Sequence, residues 1–193
     1  ESLIAMLQAR LDSLSPDARG VALLASVMGR VFWVGAVLAA ARQSPGTGPL
    51  KAHTDALETA VSNGLAELVR AELAFPRAGS MFTGEQEYIF KHSLLSEVAY
   101  SLLPLKFRRL YHTAVAQWLG KFATPDFAAT MAEHLERGGF YSDAAQKYEQ
   151  AAHYAQTLGA MDEAEWLQER AGLLKMAPAD ARSFPDTGML HNP

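Results

Sequence analysis

The stretch Tyr88-Ile-Phe-Lys-His-Ser-Leu-Leu-Ser-Glu-Val-Ala-Tyr100 limits the possible folds more than any other part of the chain. It begins with aromatic and β-branched residues, Tyr88 to Phe90, which read as a short strand. The strand breaks at His92, and an apolar helix follows at once. The domain must therefore hold a strand and a helix in direct succession. A histidine at that junction can reach a group lying across the domain surface. No other residues here carry an evident chemistry, so the functional question turns on what His92 faces.

Upstream, Leu3, Leu7, Leu11 and Leu14 recur at helical spacing. Ser15-Pro16-Asp17 supplies an N-cap, a proline at the first helical position and an early acid. A second helix follows with Val21, Leu24, Ala25 and Met28 inward, and Gly29 placed to end it. Residues 32–41 read as a third, mostly buried helix, and Gln43 to Pro49 as a loop dense in breakers. Leu57, Val61, Leu65, Leu68 and Val69 continue the helical period, with a break expected near Asn63-Gly64. Ala74 to Arg77 and Tyr88 to Lys91 flank a Gly/Ser/Glu-rich connection and read as a β-hairpin. Helices followed by a hairpin suggest a winged helix, backed by helices over Ser93–Leu103 and Leu105–Phe122.

Beyond Pro125 the pattern is helical throughout. Gly139, Tyr141, Ala144, Tyr148 and Ala151 match the second half of a tetratricopeptide repeat, where small residues let helices approach and the tyrosines fill between them. Twenty residues on, Gly159, Ala164 and Ala171 echo Gly139, Ala144 and Ala151, an offset shorter than the repeat's own. The expected fold class is mainly α: a winged-helix domain with a small β-hairpin over 1–122, then tetratricopeptide-like repeats over 123–176. Residues 177–193, with Pro178, Pro185 and Pro193, are expected to form an irregular tail.

Charge and composition exclude several functions. The chain has no cysteine, so disulfides, thiolate metal sites and cysteine nucleophiles are ruled out. Residues 1–122 hold 12 Lys/Arg against 10 Asp/Glu, and residues 123–193 hold 5 against 11. Neither part has the basic face that nucleic-acid affinity requires. The longest apolar run, Val31 to Ala41, is too short to span a bilayer, so no membrane association is expected. The chain starts at Glu1 with neither a methionine nor a signal-like segment, and it reads as a cytoplasmic piece of a longer protein.

Gly46-Thr-Gly-Pro-Leu-Lys51 resembles a phosphate loop only superficially. The spacing is wrong and Pro49 lacks the N–H that would cradle phosphate, so a flexible linker is the better reading. No nucleophile elbow and no zinc-protease motif occurs, and His53, His92, His112, His134, His153 and His191 form no pair at metal spacing. Asp162, Glu163 and Glu165 are first-turn acids that complement a helix dipole. A DNA-reading helix would be Leu65–Leu73, which is net negative with Glu67, Arg70 and Glu72. Arg108 and Arg109 read as a solvated helix face. For His92 the residues alone favour a helix-start histidine that meets backbone N–H groups or sits at the surface, ahead of a ligand role.

Several stretches together resemble the segment downstream of the nucleotide-binding core in STAND-type AAA ATPases, including those fused to adenylate/guanylate cyclase domains or transcription regulators. They are Leu7–Leu14 continuing through Ala25–Phe32, Leu68–Leu73 leading to Tyr88–Tyr100, Arg109–Leu119, and the repeats from Gly139 to Leu174. The resemblance implies that His92 corresponds to the histidine of the Met-His-Asp motif, which contacts the β-phosphate of bound ADP. Here Lys91 stands in the Met position and Ser93 in the Asp position.

The resemblance further implies a non-catalytic regulatory segment of a larger protein, whose ATPase core holds ATP or ADP with Mg. The winged helix would close over that core, and the repeats would bind a protein or peptide partner. No cofactor is expected on this segment itself. The alternative is a transcription regulator that binds DNA directly through the winged helix.

Overall fold

The computed structural model describes residues 2–122 and 124–176. The expected tail, 177–193, lies outside them. The chain divides into two compact units, the first ending at Ala114 and the second beginning at Val115. The described residues are mainly helical, with one small three-stranded antiparallel sheet. Among them no helix is long and apolar enough to cross a membrane.

The first unit opens with α1 (Leu3–Asp12) and α2 (Pro16–Ala25). The Ser15 hydroxyl accepts from the Ala18 N–H, so the cap and the following proline start α2 where the sequence places it. A 3-10 turn over Ser26–Met28 stops at Gly29, whose φ of +96° suits a residue without Cβ. That turn leads into β1 (Val31–Trp33), and α3 (Val34–Ala41) follows directly.

Residues 32 and 33 were expected to be helical, and the structure places them in a strand. A continuous apolar run does not distinguish buried strand from buried helix by period. The partner decides: Phe32 lies opposite Tyr88 in the ladder and stacks on it, with ring centroids 5.8 Å apart.

Next comes α4 (Leu57–Arg70), without the expected break at Asn63-Gly64. Gly64 is there for helix contact. A Cβ at that position would lie 2.8 Å from Val21 Cγ2 and 2.9 Å from the Asp17 carbonyl oxygen, so the missing side chain lets α4 pack closely on α2.

The hairpin consists of β2 (Ala74–Pro76) and β3 (Glu87–Phe90), and the strand order is β1-β3-β2. Register pairs Val31 with Ile89 on one side of β3 and Phe75 with Ile89 on the other. The Glu87 carboxylate is buried, and it accepts from Trp33 Nε1 at 3.0 Å, the Met81 N–H at 3.0 Å and the Arg77 guanidinium. One side chain thus ties the central strand to β1 and to the hairpin loop. Then follow α5 (Ser93–Leu102) and α6 (Leu105–Gly120), within which the division between units falls.

In the second unit a 3-10 turn over Pro125–Phe127 leads to α7 (Ala128–Gly138), α8 (Tyr141–Thr157) and α9 (Met161–Lys175). Gly139 (φ +91°) ends α7 in the left-handed conformation, and Gly159 (φ +77°) precedes α9. Ala144 and Ala151 are buried on α8, as are Ala164 and Ala171 on α9, so the twenty-residue echo marks equivalent helix starts and contact faces. Tyr148 sits buried between Ala144 and Ala151, and its hydroxyl donates to Glu136, which also accepts from Arg170 Nε. That network joins all three helices. Burial raises the Tyr148 pKa, and the Glu136 carboxylate adds to the effect. His134 is buried in α7, and desolvation followed by the Arg137 charge pushes its pKa down to about 3, so it is neutral near pH 7.

Candidate functional site

The backbone before His92 is held on both sides. The Phe90 N–H donates to the Arg30 carbonyl and the Lys91 N–H to the Leu73 carbonyl, each at 2.9 Å. At His92 (φ −127°, ψ 137°) the chain leaves the sheet and becomes the N-cap position of α5. The imidazole makes no capping bond, and the side chain is exposed; the Leu95 N–H instead donates to the His92 carbonyl. The strand therefore fixes where the ring stands without using its nitrogens for the cap.

Around the ring is a shallow concavity of about 350 Å³, lined by Leu3, Leu7, Arg30, Lys91, Ser93 and Leu94 as well as His92. Arg30 is exposed, and its Nε donates to the Phe90 carbonyl at 3.4 Å. Lys91 Nζ donates to Glu72 at 2.8 Å and lies 5.9 Å from the centre of the Phe75 ring. The Glu72 pKa is lowered, first by the Lys91 hydrogen bond and then by its charge. Lys91 thus already has a carboxylate partner in Glu72. Arg30, Lys91 and His92 line one concavity at the start of α5, which has no side-chain cap. Chemically it can receive an anion. It contains no pair of groups arranged as nucleophile and base.

Sequence reasoning singled out His92 but missed Arg30, because the pairing that sets Arg30 beside Phe90 depends on the unexpected strand β1. A usable signal was present in the β-branched and aromatic residues Val31 to Trp33 directly after Gly29-Arg30.

The glycine-rich loop after α3 is pinned rather than a free linker. Ser44 and Leu50 are buried, and the Ser44 hydroxyl is 2.6 Å from the Tyr111 hydroxyl. Gly48 passes so close to that pair that a Cβ would meet both oxygens. Burial raises the Tyr111 pKa, with the Ser44 hydrogen bond opposing it. Arg108 is occupied as well: it donates to the Leu103 and Ser101 carbonyls at the end of α5 and lies over the Tyr100 ring. Glu67, on the helix a DNA reader would use, accepts from the Ser15 N–H and hydroxyl. Among the described residues no group of three or more His, Asp or Glu could hold a metal ion.

Comparison with protein-family models, with curated proteins and with solved structures finds no match for the chain.

Proposed function

We propose that the chain is a non-catalytic regulatory and interaction segment of a larger STAND-type signal-transduction ATPase. In this reading the first domain is a winged helix that closes over the nucleotide, and the tetratricopeptide-like helices bind a protein partner. The observation that carries it is the exposed His92, unused in capping, in a concavity shared with Arg30 and Lys91. A phosphate there gains charge-assisted hydrogen bonds from the imidazole and the guanidinium. In this reading the phosphate is presented by the nucleotide-binding core, outside this chain. Contacts made in only one domain arrangement bias a switch toward that arrangement.

The helix order, the three-stranded sheet and the glycine–alanine echo of α8 and α9 support the two domain readings. The DNA-binding alternative is supported less, because α4 carries Glu58 and Glu67 against one basic residue, Arg70, at its last position. A mobility shift with a steep salt dependence would restore that alternative.

Two titrations of this chain test the proposal. With Mg-ADP, calorimetry is expected to give no measurable heat; micromolar affinity would overturn the reading, since it requires a complete site. With pyrophosphate, the His92 ring resonances are expected to shift saturably in the millimolar range, and Arg30→Ala should weaken the response. Resonances that stay still would remove the phosphate role from His92.

A further inference from the structure

Helix α9 turns two unlike faces to its surroundings. Ala164, Leu167, Ala171 and Leu174 are buried and mark the side packed on the rest of its unit. At about 3.6 residues per turn the opposite arc carries Asp162, Glu165, Trp166, Glu169, Leu173 and Met176. Trp166, Leu173 and Met176 are 53%, 62% and 85% exposed, so three large apolar side chains share one stripe in water. Trp166 is steadied there, because its ring meets the buried Tyr148 ring edge-on with centroids 6.2 Å apart. Single exposed apolar residues are ordinary on a surface, whereas a stripe anchored by a held tryptophan has the anatomy of a contact face.

The charges on this arc are all of one sign. The two bases of α9 lie on its flanks and are engaged: Arg170 Nε donates to Glu136 on α7, and Lys175 Nζ donates to Glu149 on α8. Asp162, Glu165 and Glu169 take part in no ion pair among the described residues. The outer face is therefore apolar and anionic, and no base of its own helix offsets it.

That chemistry separates the candidate occupants. A second copy meeting the same arc would set carboxylates against carboxylates, and an anionic membrane would be repelled for the same reason. Residues 177–193 bring Arg182 against Asp180 and Asp186, so they are no complement either. An extended segment needs donors for its carbonyls, and this arc offers only apolar groups and carboxylate acceptors. A helix satisfies its own backbone, and one with leucines on one face and lysines or arginines beside them matches both features. The arc from Asp162 to Met176 is about 21 Å long, about four turns of such a helix.

We infer that the outer face of α9 docks a basic amphipathic helix of a partner protein. Apolar side chains of the partner pack on Trp166, Leu173 and Met176, and its cations meet Asp162, Glu165 and Glu169. The inference goes beyond the proposed function, since the nucleotide reading requires neither this face nor this class of partner.

The test uses the full chain and three tryptophan-free peptides of about 16 residues, each about 24 Å long as a helix. The first has leucines on one helical face and lysines on the other, and the second has glutamate at every lysine position. The third has the composition of the first with its leucines spread around the helix. Trp33 and Trp118 are buried, so among the three tryptophans Trp166 reports on the surface. The first peptide should shift Trp166 emission to the blue and reduce its quenching by acrylamide, saturably in the micromolar range. The other two should bind at least about tenfold more weakly, a difference of about 1.4 kcal/mol. Leu173→Ser should weaken the first peptide by a similar factor. Glu165→Lys combined with Glu169→Lys should reverse the order of the first and second. Trp166→Phe should remove the spectral response, and circular dichroism melting checks that the variants fold.

Equal binding of the first and third peptides, no binding of any, or an order that charge reversal leaves unchanged would overturn the inference. So would a Trp166 already shielded from acrylamide in the free chain. Shielding at every concentration would assign the face to this chain's own residues, and shielding that grows with concentration would assign it to a second copy. His92→Ala is expected to leave peptide binding intact. Failure at α9 is thus distinguishable from failure of the pyrophosphate response.

Discussion

In the first unit Leu7, Leu11, Leu24, Phe32, Leu68, Phe90 and Leu95 are fully or almost fully buried, and the interior is filled by large side chains. In the second unit the buried set is dominated by alanines, among them Ala132, Ala144, Ala145, Ala151, Ala152 and Ala155. These two kinds of core position functional surface differently. Large side chains and a three-stranded sheet hold a junction such as His92 by backbone bonds from both neighbouring strands. Alanine stripes bring α7, α8 and α9 together over narrow faces. The remaining face of α8 is then left polar, with Gln146, Gln150, His153 and Thr157 exposed. A fixed strand-to-helix junction and a long polar helix face thus follow from how each core is packed.

The comparison predicts opposite weaknesses. Leu68→Ala leaves a cavity among large neighbours and should cost the first unit about 2–5 kcal/mol, read as a lower urea midpoint and faster exchange of α4 amides. A loss well below 1 kcal/mol would mean that the unit collapses into the vacancy and is less rigidly packed than described. Enlargement is the corresponding insult in the second unit. Ala152 is completely buried on α8, and Ala152→Leu should cost about 1–3 kcal/mol by forcing the helices apart. Full retention of α8 and α9 amide protection in that variant would contradict close packing through alanine.

Local chemistry was legible in the sequence wherever neighbours in the chain decide the structure. Ser15-Pro16 starts α2, Gly139 stops α7, and Ala144, Tyr148 and Ala151 all face inward as their spacing indicates. The misreadings arose where a distant partner decides. Val31 to Trp33 became a strand because β3, far along the chain, offers a ladder. Gly64 lies within a continuous helix because α2 presses against it. The loop containing Gly46 is pinned by Tyr111, 67 residues from Ser44. The same reason hid half of the candidate site: His92 announces itself at the strand-to-helix junction, whereas Arg30 reaches it only through the β1–β3 pairing.

The smallest expected effect concerns the link between the start of α2 and α4. Ser15 donates its hydroxyl at 2.5 Å and its N–H at 2.9 Å to Glu67. Those two bonds, the hydroxyl's first, lower the Glu67 pKa; burial opposes them, and Arg70 assists weakly. Because the folded pKa lies below the unfolded one, the unfolded chain binds the proton more readily. The stabilisation is therefore complete above the ordinary carboxylate range and declines as pH falls through that range toward the lower folded pKa. Glu67→Gln should be less stable than the parent at neutral pH, and the gap should close on acidification. Urea unfolding of both proteins between about pH 7 and pH 3 measures it. A gap that stays constant with pH would show that Ser15 holds an acceptor at this position without depending on its charge.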